Sequence, residues 1–198
     1  MSMLSEKNAV EDPVFEWLEK LGWELEDESE IRKYNRPLSE PIIKQIFLKK
    51  VSEINEISEE DAKKAYDILI QQFSKPDLLN ANETFLNRVN NGININIEGR
   101  DITLRIINFE NIWENSFIAT KQYWVQHKKP DIVLLINGIP FVCIEAKQRA
   151  RRSTNWLEGV KQFKTYNIES PKLFVTNCFG VVCNGKLARY GIPGVSSE

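Results

Sequence analysis

Residues 130–147 read Pro130-Asp131-Ile-Val-Leu-Leu-Ile-Asn137-Gly138-Ile-Pro140-Phe-Val-Cys-Ile-Glu145-Ala146-Lys147, the most apolar stretch of the chain. Asn137-Gly138 divides it. Asn-Gly between apolar runs is the strongest short signal for a tight hairpin, because both residues accept the positive φ of a type I′ turn. The stretch therefore predicts two buried, neighbouring strands. Their bodies hold no charge, and Asp131, Glu145 and Lys147 stand at the open ends. Charges in apolar surroundings are costly unless they are paired or bind a metal.

Side chains alternate along a strand, so Glu145 and Lys147 share one face while Ile144 and Ala146 take the other. If Asn137-Gly138 alone formed the loop, Ile136 would face Ile139 and Asp131 would face Ile144. The two carboxylates would then lie on opposite faces of the sheet. One extra residue brings Asp131 opposite Glu145. Pro140 cannot donate a ladder hydrogen bond, so the sequence predicts a three-residue loop or a bulge near Pro140. Two carboxylates on neighbouring strands make a hard oxygen site suited to Mg²⁺, with the Ala146 carbonyl as a third ligand. Such an ion acidifies bound water and neutralises charge on a phosphodiester. A lysine beside it can hold the attacking water and stabilise the transition state. Glu-x-Lys alone is an ordinary strand-end ion pair. The Pro-Asp fourteen residues earlier, across an apolar hairpin, gives this one its weight.

Outward from the hairpin, Trp156–Ile168 reads as a helix on which Gln162 and Tyr166 share a face at i, i+4 spacing. Arg149, Arg151, Arg152, Lys161 and Lys164 follow the hairpin, and Lys128 and Lys129 precede it. Beside a candidate nuclease site these can steer phosphates; elsewhere they are a solvated face. Lys172–Thr176 and Val181–Cys183 read as closing strands, with Asn184-Gly185 as a turn. Upstream, Ile93, Ile95 and Ile97 alternate with asparagine at strand periodicity. Thr103–Ile107 and Phe117–Val125 are further strands.

The first part of the chain reads as helical. Asp12 caps a helix with Pro13 at its first position, Val14, Leu18 and Leu21 as its stripe and Gly22 as its stop. Glu11 there is an acidic charge favoured by the helix dipole. Residues 23–36 are charged and irregular, with a short strand at Trp23–Leu25. Ser39 and Pro41 open a helix carrying Ile42, Ile46 and Val51. Ser58 with Asp61 resembles a capping box for a helix with Ala62, Ala65, Ile68, Leu69 and Phe73 on one face. A third helix runs from Asp77 to Val89 and ends at Asn90-Asn91-Gly92. Helices, then strands, then a helix between strands predict an α/β fold with a central mixed sheet flanked by helices.

The bulk numbers set bounds. The 198 residues suit one domain, and 42% hydrophobic content supports a core rather than disorder. A net charge of −2 gives no global nucleic-acid signal, so any DNA contact must come from a local patch. No apolar run suits a membrane span, and the polar N-terminus is unlike a signal peptide. Cys143, Cys178 and Cys183 form no CxxC pair and suggest buried thiols in a reducing cytoplasm. With a single histidine, His127, a structural zinc site is not expected, and His127 reads as a strand-end surface residue without a role. The tryptophans read as core or semi-core residues.

Pro130-Asp131, Glu145-Ala146-Lys147 and Gln162…Tyr166 together resemble a PD-(D/E)xK nuclease of the RecB-like branch. More narrowly, the chain resembles the N-terminal part of the restriction (R, or HsdR) subunit of type I restriction enzymes. The supporting stretches are Ser5 to Pro13 with Leu21-Gly22-Trp23, Leu78-Leu79-Asn80-Ala81-Asn82 with Phe85, and Asn184-Gly185-Lys186 to Ala188-Arg189-Tyr190-Gly191. The resemblance implies a restriction-endonuclease-like core over residues 1–198, with a helical insertion at about 39–92 and the catalytic sheet and helix at about 93–191. It implies that Asp131 and Glu145 bind Mg²⁺, for which Mn²⁺ substitutes, and that Lys147 assists the water. Gln162 and Tyr166 would place DNA or the active-site residues, and Glu11 would match an acidic metal-site residue on the first helix.

The implied activity is cleavage of double-stranded DNA in the cytoplasm, with no membrane involved and with methyltransferase and specificity subunits as partners of the full-length subunit. No G-x-x-x-x-G-K-[ST] phosphate loop occurs; Gly185-Lys186 is followed by Leu187. The resemblance therefore implies a fragment, with ATP serving only the motor of the full-length subunit. Two other readings stay open: a stand-alone RecB-like repair nuclease, and a non-catalytic DNA-binding or subunit-docking domain that keeps the fold.

Overall fold

The structure is a computed structural model that describes residues 8–147, 156–184 and 187–192. In chain order, helix α1 (Asn8–Lys20) precedes strand β1 (Glu24–Glu26) and the short helix α2 (Glu28–Arg32). Three helices follow, α3 (Lys44–Asn55), α4 (Glu59–Ile70) and α5 (Leu78–Asn91). The strands β2 (Ile93–Ile97), β3 (Arg100–Leu104), β4 (Phe117–Lys121), β5 (Ile132–Ile136) and β6 (Ile139–Ala146) come next. Helices α6 (Trp156–Glu169) and α7 (Pro171–Val175) lead to β7 (Phe179–Cys183) and β8 (Ala188–Gly191).

Six strands form one mixed sheet in the order β1-β4-β5-β6-β7-β8, while β2 and β3 form a separate antiparallel pair. The β1–β4 and β6–β7 pairs are parallel and the other pairs of the main sheet antiparallel. This α/β arrangement fits the restriction-endonuclease-like core that the sequence resemblance implies.

The β5–β6 hairpin sits at the centre of the sheet. Asn137 (φ 51°) and Gly138 (φ 77°) make its two-residue turn, both in the left-handed region that a type I′ turn requires. A side-chain carbon at Gly138 would also press into the Ile43 carbonyl, which closes the position to other residues. Leu135 pairs with Pro140 but Leu134 with Val142, so Phe141 is the extra residue of a bulge. The predicted bulge at Pro140 is present. Beyond it the register reads Ile132 opposite Ile144, which sets Asp131 opposite Glu145.

The two sheet faces are covered differently. Ile132, Leu134, Ile144 and Ala146 join a core with Phe47, Val51, Ala65, Leu69 and Phe85 from α3, α4 and α5. Val133, Cys143 and Val182 face Phe163 and Tyr166 of α6 and Leu173 and Phe174 of α7. Each large apolar side chain fully buried here contributes roughly 1.5–3 kcal/mol.

Several local expectations hold. Ser58 caps α4 by accepting from the Asp61 N–H, and Asp77 caps α5 by accepting from the Asn80 N–H. Others need correction. Trp17 and Trp113, read with the other tryptophans as core or semi-core, are exposed, and the strand read over Phe117–Val125 ends at Lys121, before Gln122 turns into the left-handed region. Helix α1 begins at Asn8, which places Pro13 inside it rather than at its first position. A proline that early removes only one helix bond, and the burial of Val10 and Leu18 outweighs the loss. Helix α3 starts at Lys44 rather than near Ser39, because the Ile43 N–H is used by the Gly138 carbonyl at 2.8 Å. The segment after Ser170, expected as a strand, is helix α7 with Pro171 in its first turn. A short, wholly buried apolar run such as Leu173-Phe174-Val175 carries no periodicity that separates strand from helix. Helix α2, in a segment read as irregular, is set by a capping box between Asp27 and Glu30. No helix among the described residues is long and apolar enough to cross a membrane.

Candidate active site

Two glycines let α6 lie close to the sheet. A side-chain carbon at Gly159 would collide with the Val182 side chain, and one at Gly180 would meet the Phe163 ring. With both positions bare, α6 settles on β7 and carries Gln162 and Tyr166 to the strand end where Glu145 stands. Here the i, i+4 spacing becomes contact. The Tyr166 hydroxyl donates to Oε1 of Glu145 at 2.7 Å, and Gln162 Nε2 donates to the Tyr166 hydroxyl oxygen at 2.5 Å. Lys147 Nζ donates to Gln162 Oε1 and lies 3.2 Å from Oε2 of Glu145. The structure thus brings Glu145, Lys147, Gln162 and Tyr166 into one hydrogen-bonded network, with Asp131 opposite Glu145.

The backbone arrangement explains how Asp131 is held. The Lys147 N–H donates to the Cys183 carbonyl at 2.7 Å, so Lys147 bonds toward β7 and Ala146 turns its N–H and C=O toward β5. The Ala146 N–H reaches Oδ2 of Asp131 at 2.9 Å. In the register the residue opposite Ala146 is Pro130, which has no N–H. The ladder therefore sets no backbone donor from that residue against the Ala146 carbonyl.

Glu145 is fully buried, and Lys147 keeps 17% of its side chain exposed. Burial, with Asp131 as a second contribution, pushes the Glu145 carboxyl up to about 7; Lys147 and the Tyr166 hydrogen bond oppose that rise. Burial and the adjacent Glu145 charge push the Tyr166 phenol up in turn. Two carboxylates thus stand together at this strand end, and Lys147 offsets part of the Glu145 charge. Among the described residues no group of three or more His, Cys, Asp and Glu side chains is placed to hold a metal. Mg²⁺ does not require one, since it is commonly held by one or two carboxylates with waters and phosphate oxygens completing the shell. The donor set here, Asp131, Glu145 and the Ala146 carbonyl, is all hard oxygen and fits.

The other expected residues are placed less centrally. Glu11 is buried on α1, beside Asp12, whose carboxylate pairs with Lys121 of β4 at 2.5 Å. After burial itself, the charges of Asp131, Glu145 and Glu11 raise the Cys183 thiol to about 11, which puts all three at one end of the sheet. Glu11 does not close with the other two into a side-chain metal cluster. Lys161 and Lys164 are exposed on α6. Lys128 pairs with Glu169 at 2.8 Å, and Lys129 Nζ stands 5.0 Å over the Trp124 ring. Arg149, Arg151 and Arg152 lie outside the described residues. His127 is exposed. Sequence reasoning missed Gln122, whose N–H donates to the Asp131 carbonyl at 3.2 Å. No local signal reports it, because the pairing of β4 with β5 is not written in either segment.

The family described as type I restriction enzyme R protein N terminus matches residues 3–194. The chain is 28% identical to the type I restriction enzyme HindI endonuclease subunit of Haemophilus influenzae, over 96% of this chain and 19% of that protein. It is 29% identical to a protein of Methanocaldococcus jannaschii described as a candidate type I restriction enzyme MjaIXP endonuclease subunit, over 96% of this chain and 20% of that one. The chain thus spans about a fifth of the length of these curated relatives.

Proposed function

Because the chain belongs to the family of type I restriction enzyme R protein N-terminal regions, we propose that it is a nuclease module that cleaves double-stranded DNA with Mg²⁺, as part of a type I restriction subunit. One observation carries the reading: the Phe141 bulge sets Asp131 opposite Glu145, in reach of Lys147 and of the Gln162–Tyr166 pair. A surface ion pair needs no such convergence from three separate elements.

Asp131, Glu145 and the Ala146 carbonyl would hold the ion, which when bound supplies charge neutralisation on the phosphodiester and acidification of water. The chain's own groups divide the remaining work. Lys147 Nζ, anchored by Gln162 Oε1, holds a positive charge where negative charge grows on the phosphate. Its link to Glu145 gives it a fixed position at the mouth of a mostly buried site. Tyr166 stabilises Glu145 in its charged form and orients the carboxylate. Gln162 sets both Lys147 and Tyr166, so it acts as a positioning residue. Lys161 and Lys164, exposed on α6 beside this network, fit a role in attracting the DNA backbone. Glu11 sits at the same end of the sheet and would add negative potential near the ion.

In the same reading, ATP belongs to the motor of the longer subunit, and methyltransferase and specificity subunits are partners of that subunit. The direct test is cleavage of supercoiled plasmid by the chain with Mn²⁺ or Mg²⁺. Wild type should nick or linearise the plasmid, and Lys147→Ala should lose at least about a hundredfold in rate, as removal of one transition-state donor typically does. Equal rates for the two proteins would remove Lys147 from the chemistry.

A further inference from the structure

A groove of about 730 Å³ lies between α2 and the loop that follows β4. Ile31, Arg32, Arg36 and Leu38 line one side, and Gln122 and Trp124 the other. Ile31 belongs to the same core layer as Val133, Cys143 and Tyr166, so the groove opens on the sheet face that carries Glu145. It is also continuous with the site through the backbone. The Gln122 N–H bonds the Asp131 carbonyl, and the Lys129 carbonyl lies 3.4 Å from the Tyr166 hydroxyl oxygen.

Trp124 lines this groove, and the loop that carries it is held on both sides. Its neighbours Tyr123 and Val125 are buried. The Tyr123 hydroxyl donates to the Pro41 carbonyl at 2.6 Å, and the Arg36 guanidinium lies 4.1 Å over the Tyr123 ring. Arg36 also donates to the carbonyls of Trp124 and Glu40. Two residues away on either side, Gln122 (φ 58°) and Gln126 (φ 51°) occupy the left-handed region. Such conformations cost free energy for non-glycine residues and persist only where the surroundings enforce them. A loop fixed at this cost around a half-buried tryptophan presents a rigid flat surface.

The charges around it are mostly positive. Lys129 Nζ stands over the Trp124 ring, and Arg32 pairs with Glu28, which also lines the groove, in an exposed i, i+4 contact. Exposed pairs of that kind are weak, so the Arg32 guanidinium can exchange Glu28 for a phosphate. A fixed aromatic surface between cations suits a nucleotide: the ring takes a base and the cations take its phosphate. An apolar ligand would gain nothing from Arg32 and Lys129, and a free phosphate nothing from Trp124.

We propose that this groove is a strand-binding subsite, taking a nucleotide of the DNA strand adjoining the cleavage site with its base on Trp124 and its phosphate on Arg32 and Lys129. The inference rests on reading Asp131–Glu145 as the cleavage site. The test is anisotropy of a labelled single-stranded oligothymidine in EDTA, with wild type, Trp124→Ala, Trp124→Phe and Arg32→Ala. Trp124→Ala should weaken binding about tenfold, as loss of one stacked base does, and Trp124→Phe should keep most of the affinity. Arg32→Ala, on an exposed position that folding does not need, should lower the salt slope of log K by about 0.7, as loss of one phosphate contact to a single strand does. Unchanged affinity and salt slope in Arg32→Ala, or in a folded Trp124→Ala, would overturn the proposal, as would no binding by wild type. Mn²⁺ titration of the same variants separates the two readings. Wild-type metal binding together with variants that bind the oligonucleotide as wild type does sinks only the subsite, and absence of metal binding in wild type sinks the cleavage site itself.

Discussion

The Tyr166 hydroxyl donates to a carboxylate oxygen of Glu145 at 2.7 Å, joining helix α6 to a strand end twenty-one residues earlier. The bond stabilises the charged form of a carboxylate whose burial favours the neutral one. Tyr166→Phe keeps the ring in its core layer and removes only the donor. Metal affinity at pH 7 should fall several-fold, and most of the loss should return at pH 8.5, where Glu145 ionises without help. Titration of Mn²⁺ at the two pH values checks this; a loss independent of pH would show that Tyr166 acts otherwise.

The raised Glu145 carboxyl also makes stability depend on pH. Its ordinary value is 4.5 and its value in the folded chain about 7. Between these the folded state binds more protons than the unfolded one, so stability falls as pH rises through that window. Without metal, the chain should lose up to a few kcal/mol from this group between pH 5 and 8. Glu145→Gln should flatten that part of the profile and melt higher than wild type at pH 8. Divalent metal should restore wild type at pH 8 and leave Glu145→Gln unmoved, and thermal melts with and without Mn²⁺ decide it.

Gly159 is predicted to tolerate no side chain. Even the single carbon of Gly159→Ala meets Val182, and the resulting overpacking should cost roughly 1–3 kcal/mol despite alanine's better helix propensity. A second reading of the same variant is functional. Pushing α6 away from β7 should loosen the Gln162–Lys147 and Tyr166–Glu145 contacts and reduce cleavage beyond what the lower melting temperature explains. A melt unchanged from wild type would mean that α6 does not rest on β7 at this point.

The site was legible in the sequence where its geometry is local. Asn137-Gly138 gave the turn, and the demand that Asp131 and Glu145 share a face placed a bulge at Pro140, where Phe141 is the extra residue. The Gln162–Tyr166 spacing put two side chains on one helical face. What stayed hidden depends on partners distant in sequence. The match of Gly159 with Val182, and of Gly180 with Phe163, brings α6 onto the sheet, yet neither glycine announces its partner. The β4–β5 pairing that sets Gln122 against Asp131 is equally silent. Leu173-Phe174-Val175 reads as a strand and folds as a helix, because an apolar run buried on all sides suits both alike.

In the proposed function Asp131 and Glu145 hold one divalent cation between them. Calorimetric titration of Mn²⁺ into wild type and Asp131→Ala at pH 8 decides whether they do. Wild type should bind saturably, and a folded Asp131→Ala should not bind. Equal binding by both proteins, or none by wild type, would show that these two carboxylates hold no metal.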